Sequence, residues 1–69
     1  MENQELINLG KKIKSHRNKL SISQEFLAEK CGFDRTYISL LERGKRNPSY
    51  INLLKLSNGL NISISELLV

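Results

Sequence analysis

The sequence contains one cysteine, one histidine and no apolar run longer than three residues. A lone cysteine, Cys31, forms neither an intramolecular disulfide nor a cysteine metal cluster, so the fold has no covalent staple and suits a reducing compartment. Nothing approaches the roughly 18 apolar residues of a bilayer span. The first residues, Met1 to Glu5, are acidic and polar rather than a basic signal start, and a cytoplasmic location is expected. His16 has no cysteine or carboxylate at metal-ligand spacing, which predicts a partly buried helix residue and no metal. There is no period-2 alternation, no two-residue hairpin signal and no phosphate-loop glycine pattern. No nucleophile, base and orienting group are arranged for catalysis. The expectation is therefore a protein without strands, catalytic residues, cofactor or small-molecule ligand.

What is present is short and basic. At 69 residues the chain makes a single domain (1–69) with a small core, because a chain of this length buries only about 60% of its unfolded surface. Hydrophobic residues are 39% and charged residues 26%, the balance of a folded domain rather than a disordered one. The net charge is +4, and ten of the eleven cations fall between Lys11 and Arg46. Residues 47–69 are neutral and rich in leucine and isoleucine. This division suggests a charged working surface facing an anionic partner and an apolar surface for packing or association.

The punctuation divides the chain into five short helices. Leu6, Leu9, Ile13, His16 and Leu20 recur at steps of three and four, an amphipathic stripe that predicts helix 1 from about Glu5 to Lys19. Lys11, Lys12 and Lys14 mostly lie off the stripe and read as a solvated face. Ser23 can cap helix 2, about eight residues long, which reaches Cys31 and stops at Gly32. Asp34 can cap helix 3, running through Leu41 or Glu42 before Gly44. After the basic turn Lys45-Arg46-Asn47-Pro48, Ser49 can cap helix 4, about Tyr50 to Gly59. Ser63-Ile64-Ser65-Glu66 has the form of a capping box opening a last short helix into Leu67-Leu68.

Helices 2 and 3 carry the functional constellation, spanning about residues 23–42. Leu27, Ala28 and Cys31 share one face of helix 2, and Ile38 and Leu41 share one face of helix 3. Two short helices crossing steeply need a small residue at their approach, supplied by Ala28. The tight turn between them needs a residue tolerant of positive φ, supplied by Gly32. Ile38 and Leu41 anchor helix 3 from behind and free its other face, where Arg35, Thr36, Tyr37, Ser39 and Leu40 lie. Arginine can pair bidentately with a guanine edge, and threonine can hydrogen-bond a base or pack its methyl on thymine. Arg43, Lys45 and Arg46 follow where phosphates would lie if helix 3 entered a major groove. Gln24 sits in the first turn of helix 2, where an amide and backbone N–H groups can hold a phosphate.

The run Ser23-Gln24-Glu25-Phe26-Leu27-Ala28-Glu29-Lys30-Cys31-Gly32 resembles the opening of the helix-turn-helix in the Xre-like family of Cro and phage-repressor type. Ile38-Ser39-Leu40-Leu41-Glu42-Arg43-Gly44, followed by Asn47-Pro48-Ser49, resembles its closing signature. The likeness continues through Leu53, Leu56, Leu60 and Ile62 to Leu68 and covers about residues 9–68. It implies an all-α, five-helix, lambda-repressor-like DNA-binding domain. Within the family, Asp34-Arg35-Thr36-Tyr37-Ile38-Ser39 is similar to the recognition helix of restriction–modification controller proteins, small homodimeric regulators of their own operon. Two residues depart from the pattern. Phe26 stands at an often polar position, and Gly59, where alanine is frequent, is expected to shorten helix 4. The resemblance also implies an ion pair between Arg17 and Glu42.

The expected DNA contacts are then Gln24, Arg35, Thr36, Tyr37, Ser39, Arg43, Lys45, Arg46 and Asn47. For Tyr37 the residue type fits equally a DNA contact and packing on the core edge. One such unit touches only a few base pairs, so a homodimer on an inverted repeat is expected, its half-sites about 34 Å apart. The segment 61–69 contains more apolar residues than one short helix can bury on one side. Ile62 and Leu67 are expected to face the core, and Ile64, Leu68 and Val69 to form an isologous interface. The function expected is a sequence-specific, double-stranded-DNA-binding transcriptional regulator. The rival readings are an antitoxin or protein-interaction module, and the N-terminal DNA-binding part of a larger repressor.

Overall fold

The structure, a computed structural model, describes residues 3–68. Five helices follow one another: α1 (Gln4–Lys19), α2 (Gln24–Cys31), α3 (Arg35–Glu42), α4 (Tyr50–Gly59) and α5 (Ser65–Leu68). No strand occurs among the described residues.

Local chemistry sets the helix starts. Ser23 accepts from the Phe26 N–H, Asp34 from the Tyr37 N–H and Ser49 from the Asn52 N–H, at 3.0, 2.9 and 3.1 Å. Each is the N-cap the sequence predicts, satisfying a first-turn donor that has no helical partner. α1 begins one residue earlier than expected because Asn3 caps it, accepting from the N–H groups of Glu5 and Leu6. At α5 the Ser63 N–H donates to the Glu66 carboxylate at 2.9 Å, the back-reaching half of a capping box.

α2 ends at Gly32 in the left-handed region, φ +78°, with the Phe33 N–H donating to the Ala28 carbonyl at 2.8 Å. That closure makes the tight helix-turn-helix connection. At its other end α3 closes through the Lys45 N–H, which donates to the Leu40 carbonyl at 2.9 Å.

The core is formed by Ile13, Leu27, Ala28, Cys31, Ile38, Leu41, Leu56, Leu60 and Leu67, with Leu9, Ile22, Phe33, Tyr37, Leu53 and Ile62 packed around it. α2 lies against both α3 and α4, while α1 packs across α3 and touches α5. Ile62 and Leu67 face this core as expected.

One sequence expectation is corrected. Leu20 does not complete the buried stripe of α1 and is 37% exposed. It is the C-cap, and the chain turns away at Ser21 with φ +56° before another helical turn can form. α4 ends on Gly59, the boundary the sequence predicts, and the missing side chain there also serves packing. A side chain there would begin 2.5 Å from the Cys31 sulfur, so the missing Cβ is what lets α4 lie against α2. Gly10, unremarked in the sequence pattern, is a second notch: a Cβ there would collide with the Leu41 and Glu42 carbonyls. α1 thus rests directly on the backbone at the end of α3.

Candidate nucleic-acid interface

Helix α3 is held from one side only. Ile38 and Leu41 are 0% and 1% exposed, while Arg35 and Thr36, in the first turn, face solvent. Ser39 and Leu40 are half-buried along the same helix. The Asp34 cap leaves the two residues after it on the outer surface, as the spacing predicts.

The basic turn follows directly. Arg43 caps the α3 C-terminus, and its Nε donates back to the Ser39 carbonyl at 3.4 Å. Lys45, Arg46 and Asn47 are exposed, and Pro48 is buried beneath them. The Arg46 guanidinium lies 5.0 Å from the centre of the Tyr37 ring, a cation–π contact. The Tyr37 ring meets Phe33 edge-on at 4.8 Å, and its hydroxyl accepts from Asn52 Nδ2 at 2.9 Å. Tyr37 therefore packs on the core edge and joins α3, the basic turn and α4. Asn52 was not among the residues selected from sequence, since no local pattern connects it with Tyr37.

One acid lies within this cationic stretch and is removed from its surface. The Glu42 side chain is 3% exposed and receives Arg17 Nε at Oε2 (2.6 Å) and Arg17 Nη2 at Oε1 (3.0 Å). This is the pair that the family resemblance implies. Arg17 Nη1 also donates to the Ile22 carbonyl at 2.8 Å. The hydrogen bond that Arg17 donates to Glu42 holds its guanidinium above its ordinary pKa, outweighing the opposing cost of burial. With Glu42 neutralised inside, the outward charge of α3 and its turn comes from Arg35, Arg43, Lys45 and Arg46. Gln24 is also drawn in: it is half-buried and its Nε2 donates to Glu42 Oε1 at 3.0 Å. A residue expected to face a phosphate from α2 thus also touches the end of α3.

The structure brings Arg35, Thr36, Tyr37, Ser39, Arg43, Lys45, Arg46 and Asn47 onto α3 and its exit turn, with Gln24 linked to Glu42. The expected association surface lies elsewhere. On α5, Leu68 is 60% exposed. Ile64, just before that helix, is half-buried. Val69 lies outside the described residues. His16 is half-buried, as the sequence predicts. Among the described residues no group of histidine, cysteine and carboxylate side chains could hold a metal, and no helix is long and apolar enough to cross a membrane.

A helix-turn-helix family model matches residues 13–67. The chain belongs to the Xre-like helix-turn-helix family. It is 50% identical to the control protein C.MunI of a Mycoplasma species over 62 residues, 88% of this chain and 84% of that protein. The crystal structure of the restriction–modification controller protein C.AhdI from Aeromonas hydrophila superposes with a TM-score of 0.92 at 40% identity, covering 94% of this chain and 98% of that one. The P22 c2 repressor, solved in complex with a synthetic operator, gives a TM-score of 0.82 at 38% identity, covering 87% and 91% of the two chains. These matches include both the control and the repressor branches of the resemblance seen in the sequence.

Proposed function

We propose that this helix-turn-helix regulator binds double-stranded DNA sequence-specifically as a homodimer on an inverted repeat and controls a restriction–modification operon. The observation that carries the reading is the one-sided seating of α3: Ile38 and Leu41 are buried behind it while Arg35 and Thr36 face out. Similarity to control proteins over most of both chains supports the operon assignment.

In this reading α3 enters the major groove. Arg35 pairs with a guanine edge, and Thr36, Tyr37 and Ser39 contact neighbouring bases. Arg43, Lys45, Arg46 and Asn47 grip phosphates on one side of the groove, and Gln24 grips one on the other. These phosphate contacts supply most of the affinity and make it steeply salt-dependent. Ile64, Leu68 and Val69 join two copies about a twofold axis, setting the half-sites about one helical turn apart. The regulator acts in the cytoplasm, by binding and not by catalysis.

The test is selection of bound duplexes from a random DNA pool. An enriched inverted repeat is expected. Recovery of no preferred sequence, with binding that is uniform across the pool, would overturn the reading.

A further inference from the structure

We propose that Asn52 is a positioning residue for DNA binding: it holds the Tyr37 ring beneath Arg46, and the ring keeps the Arg46 guanidinium in place for the phosphate it grips. This inference rests on the DNA-binding reading above and deepens it.

A long side chain in an exposed turn is costly to order. Freezing it on binding opposes association, and a fold that orders it beforehand removes that cost. Arg46 is exposed in the turn that follows α3, yet its guanidinium is already placed, 5.0 Å from the centre of the Tyr37 ring. A guanidinium carries its donors in its own plane, so one that rests against an aromatic face keeps its N–H fork for an acceptor. Among the described residues no hydrogen bond or ion pair takes up that fork.

The platform needs support of its own. Tyr37 is half-buried and is not wedged in place by packing. Beside it lies an open hollow of about 650 Å³, lined by Phe33, Thr36, Leu40, Arg46 and Asn52. Phe33 meets the ring edge-on at 4.8 Å, with 66° between the planes. The directional restraint acts at the far end of the ring, where the hydroxyl accepts from Asn52 Nδ2 at 2.9 Å. A phenol both donates and accepts, so an amide can hold it by either of its ends. Asn52 is fixed in turn, because its backbone N–H donates to the Ser49 cap at 3.1 Å in the first turn of α4. Support therefore runs from the start of α4, through Asn52 and Tyr37, to the basic turn after α3.

Asn52→Leu keeps the side-chain volume and removes both polar ends. The assay is affinity for two duplexes of unrelated sequence, each about three helical turns long, at low salt. The variant should bind both more weakly by about three- to ten-fold. The slope of affinity against salt should stay as in the wild type, since Arg46 keeps its charge and its phosphate. Two backgrounds test the two links. In Arg46→Ala, and again in Tyr37→Phe, adding Asn52→Leu should cost nothing further, whereas a loss through general damage to the fold would recur in both. Nuclear magnetic resonance of the free protein reads the placement directly. The ring current of Tyr37 should shift the Arg46 Nε proton upfield in the wild type, and the shift should shrink in Asn52→Leu.

Unchanged affinity of Asn52→Leu overturns the inference, as does a further loss in either background. A further loss in Tyr37→Phe would make Asn52 a DNA contact in its own right. A wild-type chain that binds neither duplex overturns the DNA-binding reading, and the inference with it. Should Asn52→Leu not fold, Tyr37→Phe breaks the same bond from the other side. An Arg46 Nε proton that keeps its wild-type shift in Tyr37→Phe overturns the proposal.

Discussion

The Cys31 sulfur lies 2.5 Å from the point where a side chain at Gly59 would begin, with Leu27 Cδ1 at 3.3 Å on the other flank. The thiol is buried and donates to the Lys55 carbonyl at 3.4 Å, so it has little room to withdraw. Gly59 is therefore a packing residue in a helix where propensity alone would favour alanine.

The contact predicts a sign reversal between backgrounds. Gly59→Ala gains about 1 kcal/mol of helix propensity but overpacks the α2–α4 contact, for a net loss of about 1–3 kcal/mol. In a Cys31→Ala background the obstructing sulfur is gone, and Gly59→Ala should be neutral or stabilising. Denaturant unfolding of the four variants checks it. An equal loss in both backgrounds would show that the sulfur is not the obstacle.

The same thiol makes stability depend on alkaline pH. Burial pushes Cys31 above the ordinary thiol value of 9.0, against a smaller downward pull from Lys30. The folded protein thus holds this proton more tightly than the unfolded chain. The resulting stabilisation is fully present below the unfolded value and is lost as pH rises through the folded one. Thermal melts should show stability falling from about pH 9.0 upward. Cys31→Ala, although about 1 kcal/mol less stable at neutral pH, should lose less over that range. Matching alkaline slopes in the two proteins would exclude a contribution from the thiol.

The sequence is informative where the physics is local. Ser23, Asp34 and Ser49 cap their helices through the third residue onward, a pattern complete within four positions. Ile38 and Leu41 lie at helical spacing and occupy the core as that spacing requires. The links that shape the candidate interface are not local. Gln24 meets Glu42 across 18 positions and Asn52 meets Tyr37 across 15, separations set by how the helices cross. Neither residue type demands such a partner, so no spacing announces it. Gly10 did carry a signal, since a glycine inside an amphipathic helix often marks a close approach. Gly59 carries the same signal, and its obstacle, like that of Gly10, belongs to another helix, so the sequence marks the notch without naming what fills it.

Arg35 and Arg46 should separate sequence choice from grip. Arg35 is exposed in the first turn of α3, whereas Arg46 lies over the Tyr37 ring in the turn beyond it. Arg35→Ala should cost about 1–3 kcal/mol on the selected site and relax preference at one position per half-site. Arg46→Ala should weaken binding to all sequences alike and lower the salt slope by about one unit per protomer. Affinities on the selected site and on single-base variants, each at several salt concentrations, check both. Uniform weakening by Arg35→Ala would assign that residue to the backbone.

Leu68 tests the association surface. It is 60% exposed on α5, next to Leu67, which is 2% exposed and anchors the helix to the core. Neighbouring side chains on one short helix thus have separate tasks, and changing the outer one leaves the inner contact intact. Leu68→Glu removes apolar area from the proposed interface and sets two like charges against each other across a twofold axis. Sedimentation should show the wild type as a dimer at micromolar concentration and Leu68→Glu as a folded monomer with an unchanged helical circular dichroism spectrum. The monomer should still bind one half-site weakly while losing the preference for an inverted repeat, because only two joined recognition helices sense half-site spacing. A Leu68→Glu protein that remains dimeric would move the interface away from this segment.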